Sequence, residues 1–421
     1  MVFEQLQDMT THSRKTRYNG GLCYEKDQCD SRILSEPVDV PSRDRRGFFL
    51  RITTTLRADL SVPLFFIHNN PDTIVSMKTS LFDYHLPHSR IAQSPASPRD
   101  SSRLLVFNRT LNTVTHDRFN HLPAYVQSGD VLVFNDTKVF PARLFGKKET
   151  GGRIEVFLLR PVGGRTWEVL IGGKVRRVGM KISFNLSLRC EAVKRLEAGM
   201  WQVRFNKAPK QVSAIADKIG STPTPPYIKK LAPMSVYQTV YAKKIGSVAA
   251  PTAGFHFTKR LLAGLKKKGV QFEYVTLHVG LGTFQPVKVE NIEKHRMHAE
   301  YAEISKNTLN HLRQAKKEGR RIIAVGTTSV RVLETIGSRK AGYKGLVNTF
   351  IYPGYRFRMV DAMITNFHLP KSTLLMLVSA FAKAPADRSV FAGLRKILGV
   401  YKIAIRKKYQ FYSFGDGMLL T

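Results

Sequence analysis

Short stretches of alternating apolar and polar side chains, broken by glycine, dominate the chain from Val131 onward. VLVFN, ARLFG, RIEVFLLR, TWEVLIG, MKISF, LRCEAVKRL and MWQVRF each run about five to nine residues. Gly151-Gly152, Gly163-Gly164 and Gly172-Gly173 separate several of them. Closely spaced strands with glycine turns predict a small antiparallel β-barrel. TPTPPYIKK at 222–230 is too rich in proline for a helix or a central strand and reads as the exit linker.

After Tyr237 the period changes. Thr258 can cap a helix whose Leu261, Leu262 and Leu265 share one face, with Gly269 as its end. VQFEYVTLHV follows as a buried strand, then a helix capped by Ser305 that stops at Gly319. RRIIAVG predicts a strand and SVRVLETI a helix; NTFIYPGY and AMITNF are further strand candidates. Helices are expected near 372–383 and 391–409. Such alternation predicts an α/β domain with a largely parallel sheet. The expected organisation is a large α/β domain of 77–137 and 237–421, interrupted by the small barrel of 138–236. Residues 1–76 are mostly polar and show no sustained period, so they are expected to be a poorly ordered extension or a mis-called start.

Charge changes this picture. The chain of 421 residues carries 67 Lys plus Arg against 31 Asp plus Glu, a net charge of +36. Residues 1–76 hold ten basic and ten acidic side chains, so the whole excess lies in 77–421. Such a field attracts polyanions, nucleic acid first. Hydrophobic content of 43% is an ordinary globular value and excludes global disorder. No apolar run approaches the ~20 residues of a membrane span, and MVFEQLQD lacks the features of a secretory signal. Three cysteines cannot build a disulfide framework, which fits a reducing cytoplasm.

Ligand sites in α/β folds lie at the carboxyl ends of strands. Three polar stretches fall at such ends: His278 to Phe284, Gly326-Thr327-Thr328-Ser329, and Thr365-Asn366-Phe367-His368. Glycines in the first let backbone N–H groups approach a ligand. The hydroxyls and free N–H groups of the second suit a carboxylate or phosphate. AAPTAGFHF adds Thr252 and His256 before a helix. Asn135-Asp136-Thr137 ends strand VLVF, and Asp136 with the nearby Arg143 reads equally as a functional pair or as a salt bridge. His295-Arg296-Met297-His298-Ala299-Glu300 holds two His and a carboxylate, but HRMH matches no common zinc spacing and has no cysteine nearby, so no metal is expected and the side chains read as solvated or substrate-facing. GxxxxGK[ST] and a strand-linked GxGxxG are both missing.

Eight long motifs occur in order: LPHSRIAQSPASPRDSSRLL, GDVLVFNDTKVFPARLFGKKETGGRIEVFLL, YQTVYAKKIGSVAAPTAGFHFT, TLHVGLGTFQPV, HRMHAEY, AVGTTSVRVLET, FIYPGYRFRMVDAMITNFHLPKSTLLMLVSAF and YSFGDGML. Together they closely resemble the S-adenosylmethionine:tRNA ribosyltransferase-isomerases of queuosine biosynthesis. The resemblance runs from about Met77 to the end of the chain. Small departures are Phe255 where the family usually has Leu, Gln410 where a basic residue is common, and Gly417 where Ala is usual. The resemblance implies a large, distantly barrel-like α/β domain interrupted by a small β-barrel. It also implies a reaction in which the ribosyl part of S-adenosylmethionine moves to 7-aminomethyl-7-deazaguanine at the tRNA wobble position. Epoxyqueuosine forms, and adenine and methionine leave.

That chemistry asks for particular residue types. The adjacent sulfonium acidifies a proton on the ribose 5′ carbon, and a base removes it. Adenine must be protonated or hydrogen-bonded as it departs. His256 and His278 are the candidate base and acid, with Asp136 orienting or accepting. Thr252, Gly280, Gly282, Thr283, Thr327 and Thr328 are the candidates to hold S-adenosylmethionine, and Arg143, Arg331, Asn366 and His368 to hold the modified base or its phosphates. The expected partners are S-adenosylmethionine as cosubstrate and tRNA carrying the deazaguanine precursor, with no tightly bound cofactor, no membrane and a monomeric state. A plain basic RNA-binding module would share the charge but not the polar residues gathered at strand ends. A methyltransferase would show a glycine-rich first strand–helix turn, which is missing.

Overall fold

The computed structural model describes residues 76–173, 177–196, 199–280, 287–337, 339 and 341–421. Residues 1–75, the candidates Gly282 and Thr283, and most of the basic run from Lys174 to Arg177 lie outside the described residues.

The chain begins with β1 (Arg103–Asn108), β2 (Thr113–Arg118), β3 (Val131–Asn135) and the short β4 (Thr137–Val139). Six strands follow: β5 (Arg143–Lys148), β6 (Arg153–Gly163), β7 (Thr166–Gly172), β8 (Lys181–Ser183), β9 (Arg189–Arg195) and β10 (Met200–Phe205). They close into an antiparallel barrel in the order β10-β7-β6-β5-β8-β9. Leu144, Ile154, Val156, Val169, Ala192 and Val203 alternate into its core, as the two-residue period of a strand requires. Helix α1 (Pro209–Ile219) packs against it through Val212 and Ala216. These are the six glycine-separated strands read from the sequence after VLVFN.

The rest alternates: β11 (Lys244–Ser247), α2 (Lys259–Lys267), β12 (Gln271–Leu277), β13 (Glu300–Ile304), α3 (Lys306–Lys317), β14 (Ile322–Val325), α4 (Thr327–Ile336), β15 (Tyr343–Val347), β16 (Ala362–Asn366), α5 (Thr373–Phe381), α6 (Ala392–Arg406) and β17 (Gly417–Leu420). Nine strands form one mixed sheet, β15-β13-β12-β3-β14-β16-β17-β1-β2. Its centre, β12-β3-β14-β16, is parallel. The expectation of a largely parallel sheet is corrected at both sides: β13 and β15 pair antiparallel at one side, and β17 and β2 introduce antiparallel pairs at the other. Strands β3, β14 and β16 are buried throughout, the continuous apolar composition expected when helices cover both faces. Leu105, Val133, Ala324 and Met363 face α4, α5 and α6, whereas Leu104, Phe134, Ile323 and Ile364 face α2 and a 3-10 helix at Thr252–His256.

Helix starts follow the capping residues. The side chains of Thr258, Ser305 and Ser372 accept the N–H of Leu261, Thr308 and Leu375, each worth about 1 kcal/mol to its helix. NTFIYPGY is not a strand: Phe350, Tyr352 and Tyr355 pack on the core from an irregular segment. Only the carboxyl half of β12 is buried.

Candidate active site

Because the four central strands are parallel, the segments after β3, β12, β14 and β16 emerge on one rim of the sheet. Two cavities open there. The smaller, of about 70 Å³, is lined by Thr252, Gly326, Thr327, Thr328, Asn366 and His368, with Tyr227 and Ser413 on the far wall. The larger is a cleft of about 680 Å³, walled on the barrel side by Leu159, Trp167 and Met200 and on the sheet side by Ile245, His278, Glu300 and Tyr301. Val279 borders both.

Helix α4 supplies the floor of the smaller cavity. Its N-cap is Gly326 at φ +88°, so no side chain caps it. The N–H groups of Thr327, Thr328 and Ser329 find no acceptor among the described residues. The buried Thr328 Oγ1 has no hydrogen-bond partner either. Unsatisfied N–H groups and the positive end of the helix dipole together favour a carboxylate or phosphate oxygen. A Cβ on Gly326 would stand 3.6 Å from both Ala253 Cβ and Thr328 Oγ1, within this cradle. The wall is a fixed chain: Thr252 Oγ1 donates to Asn366 Oδ1 at 3.1 Å, and Asn366 Nδ2 donates to His256 Nε2 at 3.2 Å. Thr365 Oγ1 meets His368 Nε2 at 2.9 Å.

His256 lies behind Asn366 rather than in either cavity. Its Nδ1 is 2.7 Å from Ser102 Oγ, and its ring stacks on Phe119 at 4.6 Å. Burial, with the charge of Arg99 adding to it, lowers its pKa to about 3. Burial likewise lowers that of His368 to about 3. Both rings are neutral at pH 7.

His278 stands in the cleft wall. Its Nδ1 is 2.8 Å from Thr137 Oγ1, and its ring stacks on Tyr301 at 5.4 Å. Desolvation is the main cause that lowers its pKa to about 4. In the tautomer whose Nδ1–H donates to Thr137 Oγ1, the lone pair on Nε2 is left for a ligand; no described residue hydrogen-bonds Nε2. Gly246, at φ +155°, makes room for the ring: a Cβ there would lie 2.5 Å from Nε2.

The other predicted residues sit elsewhere. Asp136 lines neither cavity; its carboxylate accepts from Thr276 Oγ1 at 2.6 Å, and burial raises its pKa. Arg143 pairs not with Asp136 but with the buried Glu155, at 2.7 Å on the neighbouring strand β6. Arg331, on α4, is buried against Glu300. Gly280 lines the cleft with its N–H donated to Glu300 Oε1 at 2.8 Å. Thus Thr252, Thr327, Thr328, Asn366 and His368 come together in one cavity and His278 and Gly280 in the next. Thr137, Ser102 and Tyr301 are not among the sequence candidates, although Thr137 lies in the NDT stretch beside Asp136 and Tyr301 follows Glu300, the carboxylate of the HRMHAE stretch. His298 of that motif lines the cleft, whereas the ring of His295 packs edge-on to Phe350. Among the described residues no three His, Cys, Asp or Glu side chains gather as metal ligands, and no helix is long and apolar enough to cross a membrane.

Two adjoining cavities thus open on one rim of an α/β sheet, one at an uncapped helix start and one beside a histidine with a depressed pKa, the place where ligands bind in α/β proteins. The family model described as queuosine biosynthesis protein matches residues 79–420. An S-adenosylmethionine:tRNA ribosyltransferase-isomerase of Carboxydothermus hydrogenoformans is 51% identical over 82% of this chain and 100% of its own length. One from Aquifex aeolicus is 47% identical over the same shares. A crystal structure of S-adenosylmethionine tRNA ribosyltransferase from Thermotoga maritima is 36% identical over 81% of this chain and 100% of that one, with a TM-score of 0.46. The chain belongs to the S-adenosylmethionine:tRNA ribosyltransferase-isomerase family of queuosine biosynthesis.

Proposed function

We propose that this enzyme transfers and isomerises the ribosyl moiety of S-adenosylmethionine onto 7-aminomethyl-7-deazaguanine at the tRNA wobble position. Epoxyqueuosine is the product, with adenine and methionine released. The observation that carries the reading is His278: an imidazole with a depressed pKa, anchored through Nδ1 to Thr137 in a cleft that adjoins an anion-favouring cradle.

On this reading the α-carboxylate of S-adenosylmethionine meets the N–H groups of Thr327 and Thr328, and Thr252 and Asn366 line the ligand's flank. The ribose then reaches past Val279 into the cleft. His278 Nε2 takes the proton from the 5′ carbon, which the sulfonium acidifies, and Thr137 holds the imidazolium that forms. The depressed pKa keeps the base form available throughout the neutral range. His256 acts through Asn366: its acceptor nitrogen fixes the Asn366 amide so that Oδ1 faces Thr252. The 5′ carbanion breaks the bond from C4′ to the ring oxygen, and that oxygen becomes the C1′ aldehyde as protonated adenine leaves. The neutral aminomethyl nitrogen adds at C4′ and loses a proton. The regenerated 5′ carbanion bonds to C1′, whose oxygen closes the epoxide on C5′ and expels methionine. The tRNA is drawn to the basic surface, on which Lys266 and Lys267 are exposed at the end of α2. The barrel of 138–236 forms the second wall of the cleft as a domain of its own.

The test is incubation with S-adenosylmethionine and tRNA carrying the precursor base, followed by nucleoside mass spectrometry. Epoxyqueuosine supports the reading; a methylated nucleoside with no ribosyl adduct overturns it.

A further inference from the structure

Three consecutive N–H groups carry the segment that holds the proposed base. His278 N–H donates to Tyr301 O at 2.9 Å, Val279 N–H to Ser247 Oγ at 2.9 Å, and Gly280 N–H to Glu300 Oε1 at 2.8 Å. The first two acceptors belong to strands β13 and β11. The third is a side chain with a second attachment: Glu300 Oε2 accepts from Arg331 Nη1. Both members of that pair are buried, Glu300 at 6% and Arg331 at 3% exposure. Arg331 also donates through Nε to Thr349 O at 3.4 Å. It lies on α4, whose first residues floor the smaller cavity.

We infer that Glu300 is a positioning residue that sets the His278 segment against the amino end of α4. One carboxylate spans the two halves of the site: one oxygen holds Gly280, beside the cleft, and the other holds the helix that makes the ligand cradle. A buried ion pair is poor evidence of stabilisation, since apolar side chains of similar volume often replace one at no cost. What apolar side chains cannot reproduce is an acceptor for the Gly280 N–H. A displacement of about 1 Å at reacting atoms costs on the order of 10²-fold in rate, so this bond is where Glu300 acts. The inference rests on the proposed role of His278.

Two double variants separate positioning from folding. Glu300→Leu with Arg331→Met removes both charges and the acceptor. Glu300→Gln with Arg331→Met removes both charges and keeps an oxygen for Gly280. Both should melt near the parent. The Gln pair should release adenine at least about tenfold faster than the Leu pair, with the KM for S-adenosylmethionine differing by less than about threefold. The Gly280 amide should exchange at least about tenfold faster in the Leu pair, a readout that needs no turnover. Equal turnover and equal exchange in the two pairs would overturn the inference. If the Leu pair does not fold, Glu300→Asp keeps a charge for Arg331 but is one methylene short of Gly280; parental turnover and exchange there would overturn it equally. A parent that exchanges as expected but releases no adenine would count against the proposed reaction and leave the role of Glu300 standing on exchange alone.

Discussion

Acid should destabilise this enzyme through His256, and the size of the effect follows from its surroundings. The ring is buried, Asn366 donates to Nε2, and Ser102 sits at Nδ1. A proton on Nε2 would face the Asn366 amide group and lose that bond. The native pKa of about 3 lies below the unfolded value of 6.5. Between these values the unfolded chain binds a proton that the native state does not. The contribution of His256 is therefore complete above about pH 6.5 and is lost progressively as pH falls toward 3. At 1.36 kcal/mol per pH unit, the loss between about pH 6 and about pH 4.5 is about 2 kcal/mol. His368, buried with the same direction and a native value of about 3, adds a similar loss. The assay is urea unfolding across this range for the parent and for His256→Gln. The variant will be less stable at every pH, but its stability should fall by about 2 kcal/mol less over the interval. Burial raises the pKa values of Asp136 and Asp416 and so acts in the opposite sense; both groups are in both proteins, and their effect cancels in the comparison. Parallel curves for parent and variant would refute the buried neutral histidine.

Other outcomes follow from the same geometry. His278→Ala should lower adenine release by about 10²-fold or more while leaving the melting temperature nearly unchanged; parental turnover would remove His278 from the mechanism. Gly246→Ala places a methyl group 2.5 Å from His278 Nε2, so it should displace the ring and lower kcat, measured by the same release assay. Gly326→Ala forces a side chain to φ +88° inside the cradle, and should raise the KM for S-adenosylmethionine more than the KM for tRNA. Binding of tRNA should weaken steeply with salt, and replacing Lys266 and Lys267 by Gln should reduce the log–log slope by roughly 0.7–0.9 for each phosphate that is no longer neutralised, measured by filter binding.

The legible parts of this fold were those specified locally. Glycine pairs and short alternation mark the barrel strands, and Thr258 and Ser305 mark helix starts because a cap is a bond to a residue three positions on. The antiparallel sides of the sheet were not legible. Strand β17, at the end of the chain, inserts between β1 and β16, a pairing that no local pattern encodes. NTFIYPGY carried the aromatic composition of a strand, yet those rings serve the core from an irregular segment turned by Gly354 at φ +106°. The site divides the same way. Asn366, His368 and His278 are legible as polar residues that follow strands and Thr252 as a hydroxyl in the loop before a helix, and all four line the two cavities. The partners that define their roles were not: Ser102 is 154 residues from His256, and Thr137 is 141 from His278. Arg331 looked like a substrate contact because its charge is visible in sequence and its buried partner is not.

Product stoichiometry tests the central claim most directly. The enzyme, S-adenosylmethionine and tRNA bearing 7-aminomethyl-7-deazaguanine are mixed, and adenine and methionine are quantified against modified nucleoside. The account predicts one adenine and one methionine for each epoxyqueuosine formed, and none of the three with tRNA that lacks the precursor base. Accumulation of S-adenosylhomocysteine, or adenine release that is indifferent to the tRNA, would contradict it.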